Sequence, residues 1–130
     1  MVAKRVALSQ PAPIQVDSTE PDVIRVALEQ IPGRAIVNSV NLEAGRDKLD
    51  RVVPIAMAHG AALIALTIDE AGMAKTRERK VEVAQRIHQM VCDEHGMDPE
   101  LLIFDDLTFT LTTGDEEWRP SAVELSLIHI

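Results

Sequence analysis

Four short apolar runs along the chain end in acidic or amide residues: Pro13 to Ser18, Ala35 to Ser39, Leu63 to Glu70 and Leu101 to Asp106. Buried parallel strands read as near-continuous apolar runs, and in barrel enzymes the groups at their C-terminal ends line the site. The pattern predicts four strands and makes Asp17, Asn38, Asp69 and Asp105 candidates for one shared pocket. Between the runs the apolar period becomes helical. Ile24, Ala27, Leu28 and Ile31 follow the i, i+3, i+4, i+7 spacing, with Ser18 or Thr19 as N-cap, Pro21 in the first turn and Pro32-Gly33 as the stop. Leu49, Val52, Val53 and Ala56 predict a second helix from Arg46 to His59, and Gly60 sits where a left-handed C-cap belongs. A third helix, from about Thr76 to His95, carries Val83, Ala84, Ile87 and Val91 on one face and stops at Gly96. Asp115 offers a start for a fourth, whose ladder Pro120 would interrupt.

The resulting order is β-α-β-α-β-α-β, which implies right-handed crossovers and a parallel sheet. The candidate polar residues are 21, 31 and 36 positions apart, one βα unit per interval. A four-stranded open α/β sheet and half of a TIM-type (β/α)8 barrel both suit this spacing. Two observations favour the half barrel. No Gly-x-Gly-x-x-Gly or phosphate-loop lysine motif follows a strand, and every strand delivers its polar group at the same end. Ile14, Val37, Ile64, Leu66 and Ile103 are then expected on the inner wall.

Composition narrows the partners. The chain has 130 residues, is 46% hydrophobic and carries a formal net charge of -8, which argues against a nucleic-acid or anionic membrane surface. Cys92 is the lone cysteine, and no Cys-x-x-Cys spacing appears, so neither an internal disulfide nor a metal site is expected and a reducing, cytoplasmic compartment is the default. The N-terminal residues carry no signal-peptide pattern, and no apolar stretch approaches the roughly 20 residues of a membrane helix.

Several segments together resemble one family, the pterin-binding domain of cobalamin-dependent methionine synthase. They are Asp17 to Ile24, Ile36 to Gly45, Gly60 to Thr76, and Ile103 to Phe109 followed by Thr113 to Glu117. Each is weak alone, but their order and spacing make a specific match over roughly residues 5–124. That family folds as an eight-stranded α/β barrel of about twice this length. The resemblance implies that residues 1–124 form a partial pterin-binding barrel, strands three to six, entered through the helix before strand three. Residues 125–130 depart from the family's charged helix and read as a foreign tail, leaving His129 without a function.

A pterin ring offers donors at N3, the 2-amino group and, when reduced, N8, beside acceptors at N1 and O4. An ionised Asp only accepts, whereas Asn donates and accepts. The resemblance implies that Asp105 pairs with the N3 and 2-amino edge, Asn38 with the N1 and 2-amino region, and Asp17 with the N8 hydrogen. Ser39, Asp69 and Glu70 are expected at the pocket rim or behind it. The group nearest N5 is expected from a seventh strand beyond residue 130. Plainer roles compete: Asp17 before Ser18 also suits a helix cap, and Asn38 suits a turn. Of Asp105 and Asp106, adjacent on a strand, one alone can enter the barrel mouth.

The other conspicuous residues read as structural. His59, His88 and His95 fall in helices or their ends, Cys92 has no basic neighbours to activate it, and Lys75 to Lys80 read as a solvated helix start.

The function implied by the resemblance is that of a methyltransferase fragment binding 5-methyltetrahydrofolate and passing its N5 methyl group to cob(I)alamin during methionine synthesis. Cobalamin would be bound by another domain, and zinc by a further one. The alternatives are a folate:corrinoid/iron-sulfur-protein methyltransferase, a dihydropteroate synthase-like enzyme, or a non-catalytic α/β module that self-associates. The isolated chain is expected to self-associate and to be inactive, because four strands leave two open sheet edges.

Overall fold

The computed structural model describes residues 2–109 and 116–128. Its elements are α1 (Val2–Ser9), β1 (Gln15–Asp17), α2 (Pro21–Leu28), β2 (Ile36–Val40), α3 (Asp47–Ala58), β3 (Ala62–Leu66), β4 (Ile68–Asp69), β5 (Gly72–Met73), α4 (Arg77–His88), β6 (Leu102–Asp105) and α5 (Ser121–Ile128). A π-helical turn, Gln89–Glu94, prolongs α4. The expected starts at Asp115 and the tail residue His129 lie outside the described residues.

Strands β1, β2, β3 and β6 form one sheet in that order, all parallel. Each strand pairs with its predecessor in the sheet, so right-handed crossovers place every connecting helix on the same side. The core agrees: Ile24 and Leu28 of α2, Leu49, Val52, Val53 and Ala56 of α3, and Val83, Ile87 and Val91 around α4 join Val16, Val37, Leu63 and Ala65 of the strands in a single buried cluster. A doubly wound sheet reverses its strand order to cover both faces; this one does not. It is a partial (β/α) barrel, four strands under a one-sided helical layer.

Alternation along the strands decides which residues face the open side. Val16, Val37 and Leu63 are buried under the helices, so their neighbours Asp17, Asn38, Ile64 and Leu66 turn to the opposite face. Val37, expected on the inner wall, instead lies in the core beneath the helices, because Val37 and Asn38 cannot share a face. Ile14 precedes β1, and Ile103 is 43% exposed on the open side.

The helix ends follow local chemistry. Gly60 and Gly96 take the left-handed conformation (φ +61° and +78°) that closes α3 and the α4 extension without a Cβ penalty. Thr76 caps α4, its Oγ1 accepting from the Arg79 amide at 3.3 Å. The cap of α2 departs from expectation. Glu20 holds that position, while Ser18 Oγ closes a local turn by accepting from the Glu20 amide at 3.2 Å. Pro120 does not interrupt a helix; α5 begins just after it and runs through Ile128 without a break at residue 125.

Candidate functional site at the strand ends

The sheet register brings the predicted polar residues onto one surface in part. Asp17 stands opposite Asn38, Asn38 opposite Ile64, and Ile64 opposite Ile103, a single row across all four strands. One step toward the C-terminal edge, Leu66 stands opposite Asp105. Asp17, Asn38 and Asp105 thus share the open face, with Ile64 and Leu66 between them. The β2 and β6 columns are two strand spacings apart, about 10 Å.

The side chains of Asp17 and Asn38 make no hydrogen bond or ion pair with the described residues. Asp17 is exposed and Asn38 half-buried. The β1 end is secured instead through the backbone, the Ser18 amide donating to Asn38 O at 3.1 Å. The Asn38–Ser39 peptide is cis, and the pairing with β3 shifts between Asn38 and Val40, so Ser39 is an extra residue without a partner in the register.

Asp105 is exposed, and its Oδ1 accepts from the Leu107 amide at 3.0 Å. An open cavity of about 330 Å³ beside it is lined by Phe104, Asp105, Asp106, Leu107, Thr108 and Leu125. Another, about 250 Å³, lies at the far end of the sheet among Pro11, Pro13, Ile31 and Arg34 and contains none of the strand-end carboxylates.

Asp69 and Glu70 are placed differently. The run Leu63 to Glu70 is not one strand: β3 ends at Leu66, and β4 pairs antiparallel with β5 in a separate hairpin. Asp69 is 1% exposed within this hairpin. Its Oδ1 accepts from the Ala71 amide at 3.1 Å, and its Oδ2 meets the guanidinium groups of Arg79 and, at 2.9 Å, Arg86. Glu70 joins Arg86 at 3.3 Å. The turn requires Gly72 at φ +96°.

Sequence reasoning missed Lys80. Read as part of a solvated helix start, it is 1% exposed, and its Nζ donates to the carbonyls of Asp106 and, at 2.9 Å, Leu107. Burial pushes its ammonium below the usual lysine range, while Asp106, Asp105 and Glu124 act in the opposite direction. A signal was present: Lys80, Val83, Ala84, Ile87 and Val91 continue one apolar stripe, so Lys80 begins the buried face of α4.

A charged cluster joins α3 to the π-helical extension of α4. Arg46 chelates Asp50 at 2.7 Å, reaches Glu94 at 2.8 Å, and His95 Nε2 meets Asp50 at 2.8 Å. The Arg46 guanidinium, with His95 behind it, holds the Asp50 carboxyl down at about 2. Burial, then Asp93 and Asp98, pushes the Cys92 thiol above its ordinary range. Trp118 stacks on Phe109 with ring centroids 4.7 Å apart, and the Lys75 ammonium lies 4.8 Å from the Trp118 centroid. Among the described residues no three His, Cys, Asp or Glu side chains are placed to hold a metal, and no helix is long and apolar enough to cross a membrane.

A one-sided parallel sheet that presents acidic and amide groups at its C-terminal edge is the arrangement that the sequence resemblance implied, and comparison with known proteins decides the family. The pterin binding enzyme family matches residues 1–125. The chain belongs to that family. Methionine synthase of Mycobacterium tuberculosis (strain ATCC 25618 / H37Rv) is 41% identical over 126 residues, which cover 95% of this chain and 11% of that protein. Methionine synthase of Mycobacterium leprae (strain TN) is 42% identical over 126 residues, 95% of this chain and 10% of that protein. The chain thus spans about a tenth of the length of these relatives, and its resemblance is to the pterin-binding part of a methionine synthase.

Proposed function

We propose that the open face of the sheet binds the pterin ring of 5-methyltetrahydrofolate, and that the full polypeptide transfers the N5 methyl group to cob(I)alamin on the way to methionine. One observation carries the reading. On a single face, Asp17 and Asn38 at one side and Asp105 at the other flank an apolar floor of Ile64 and Leu66. A flat heterocycle lying on that floor meets hydrogen-bonding groups at both edges.

Each side chain has a defined task. Asp105 accepts from N3 and the 2-amino group, its Oδ1 already oriented by the Leu107 amide. Asn38 donates to N1 and accepts from the 2-amino group, and Asp17 accepts from N8. The charge-assisted hydrogen bonds of Asp105 and Asp17 contribute about 1.5–3 kcal/mol each, and the neutral ones of Asn38 about 0.5–1.5 kcal/mol. Together they fix the ring so that the N5 methyl faces outward from the floor, which is catalysis by positioning. The N5 amine is a poor leaving group until it is protonated or hydrogen-bonded. No described residue is assigned that role.

Held by another domain, cob(I)alamin would supply the nucleophile that takes the methyl group. Ser39, Asp69 and Glu70 support the pocket from its rim, with Asp69 and Arg79 holding the β4–β5 hairpin near it. Zinc and homocysteine are assigned to a further domain, and the protein to the cytoplasm. A folate:corrinoid protein methyltransferase or a dihydropteroate synthase is less well supported, because the relatives bear the name methionine synthase.

Calorimetric titration of the full-length polypeptide with 5-methyltetrahydrofolate tests the proposal, with p-aminobenzoylglutamate as the control lacking a pterin. Binding of the first and not the second, together with folate-dependent loss of cob(I)alamin absorbance, is expected. Equal binding of both, or no loss of absorbance, contradicts it.

A further inference from the structure

The turn that leaves β6 is held from beneath by a buried cation. Lys80 sits on the core-facing side of α4, 1% exposed, and its ammonium donates to the backbone carbonyls of Asp106 and Leu107. An ammonium has three donors and no acceptor, so burying it requires fixed acceptors around it. Here those acceptors are the two peptide carbonyls that follow Asp105. Leu107 adopts φ +53°, a left-handed conformation uncommon for a residue with a Cβ. In that conformation its carbonyl faces Lys80 and its amide donates to Asp105 Oδ1 at 3.0 Å. One residue therefore links the buried cation to the exposed carboxylate.

We propose that Lys80 is a positioning residue for pterin recognition: by holding the carbonyls of residues 106 and 107, it sets the direction in which Asp105 presents its carboxylate to the ring. This rests on the reading of Asp105 as the group that meets the N3 and 2-amino edge. A lysine serving only to join α4 to the sheet would have a different signature. Its loss would weaken every ligand of the face alike, whereas misdirecting Asp105 removes discrimination at one edge of the ring.

The readout is the ratio of Kd values for 2-desamino-5-methyltetrahydrofolate and 5-methyltetrahydrofolate, measured by calorimetry on the full-length polypeptide. Lys80→Met removes the donors at nearly constant length. It is expected to lower the ratio by about tenfold, the scale of one charge-assisted hydrogen bond. Lys80→Arg, which keeps a charged donor, is expected to restore most of it. Asp105→Asn should lower the ratio similarly, and Lys80→Met combined with Asp105→Asn should be no worse than Asp105→Asn alone, because the lysine acts through that carboxylate. Should Lys80→Met fail to fold, Lys80→Leu gives the same comparison, also without a donor. An unchanged ratio in whichever of these folds, or additive effects of the two substitutions, overturns the inference. An unchanged ratio in Asp105→Asn instead overturns the assignment of Asp105 on which it rests.

Discussion

The two faces of β3 differ more than its sequence suggests. Leu63 and Ala65 have no exposed surface beneath the helices, while Ile64 and Leu66, equally apolar, remain partly open on the other side. Parallel sheets are ordinarily covered on both faces. The covered face accounts for the fold, and the uncovered face is the one proposed for recognition: one is apolar along the strands, the other mixes an apolar floor with Asp17, Asn38 and Asp105. Substitutions on the two faces should therefore move different observables.

The largest effect on stability is expected from Leu63→Ala, about 2–5 kcal/mol for a cavity in a closed core, against well under half of that for Leu66→Ala, whose side chain has less cover to lose. Thermal melts of both variants check this; equal losses would erase the distinction between the faces. Asp69→Asn comes next. It leaves Arg79 and Arg86 without their shared carboxylate, and because both guanidiniums are about one-third exposed (33% and 36%), the loss should be on the order of 2 kcal/mol, below that of a fully buried pair. The same variant should alter pterin affinity much less than Asp105→Asn does.

Association sharpens the comparison further. Two open strand edges and an uncovered apolar face should drive the isolated 130-residue chain into dimers or larger species. Light scattering with melts at several concentrations tests this, and a monodisperse 14.3 kDa species with a concentration-independent transition would speak against it. Placing Glu at Leu66 should reduce the association.

The smallest effect is a pH dependence on the covered side. Asp50 is held at about 2, chiefly by Arg46 and then by His95, below the roughly 3.9 of an unfolded aspartate. Its contribution is complete above the unfolded value and is lost as pH falls through the folded one. Asp50→Asn should thus lower the melting temperature at neutral pH, and its gap from the parent should close between about pH 5 and pH 2. A gap that stays constant over that window would show that Asp50 is not stabilised by its charge.

The strands, the three crossover helices and the polar groups at the strand ends were legible because they rest on local periodicity. Period-2 alternation also fixes a face, yet Val37 was placed on the wrong one, since an apolar run looks alike from both sides until a neighbour such as Asn38 is anchored. Asp69 looked equivalent to Asp17 and Asp105 in the chain. What separates them is distant: Arg79 and Arg86, one helical face away, engage Asp69 and not the others. Lys80 stayed hidden for the same reason. Its position on the apolar stripe was visible, but the carbonyls that satisfy it come from residues 106 and 107, 26 and 27 positions later.

The most direct measurement is a titration of the full-length polypeptide with 5-methyltetrahydrofolate, comparing Asp17→Asn, Asn38→Ala and Asp105→Asn with the parent and recording a melting temperature for each. The account predicts an affinity loss of about 10-fold or more for each, from one lost charge-assisted or paired hydrogen bond, with melting temperatures close to the parent's. Unchanged affinity accompanied by lowered melting temperatures would make these three residues caps and turn formers, and would contradict the assignment of the open face to the pterin.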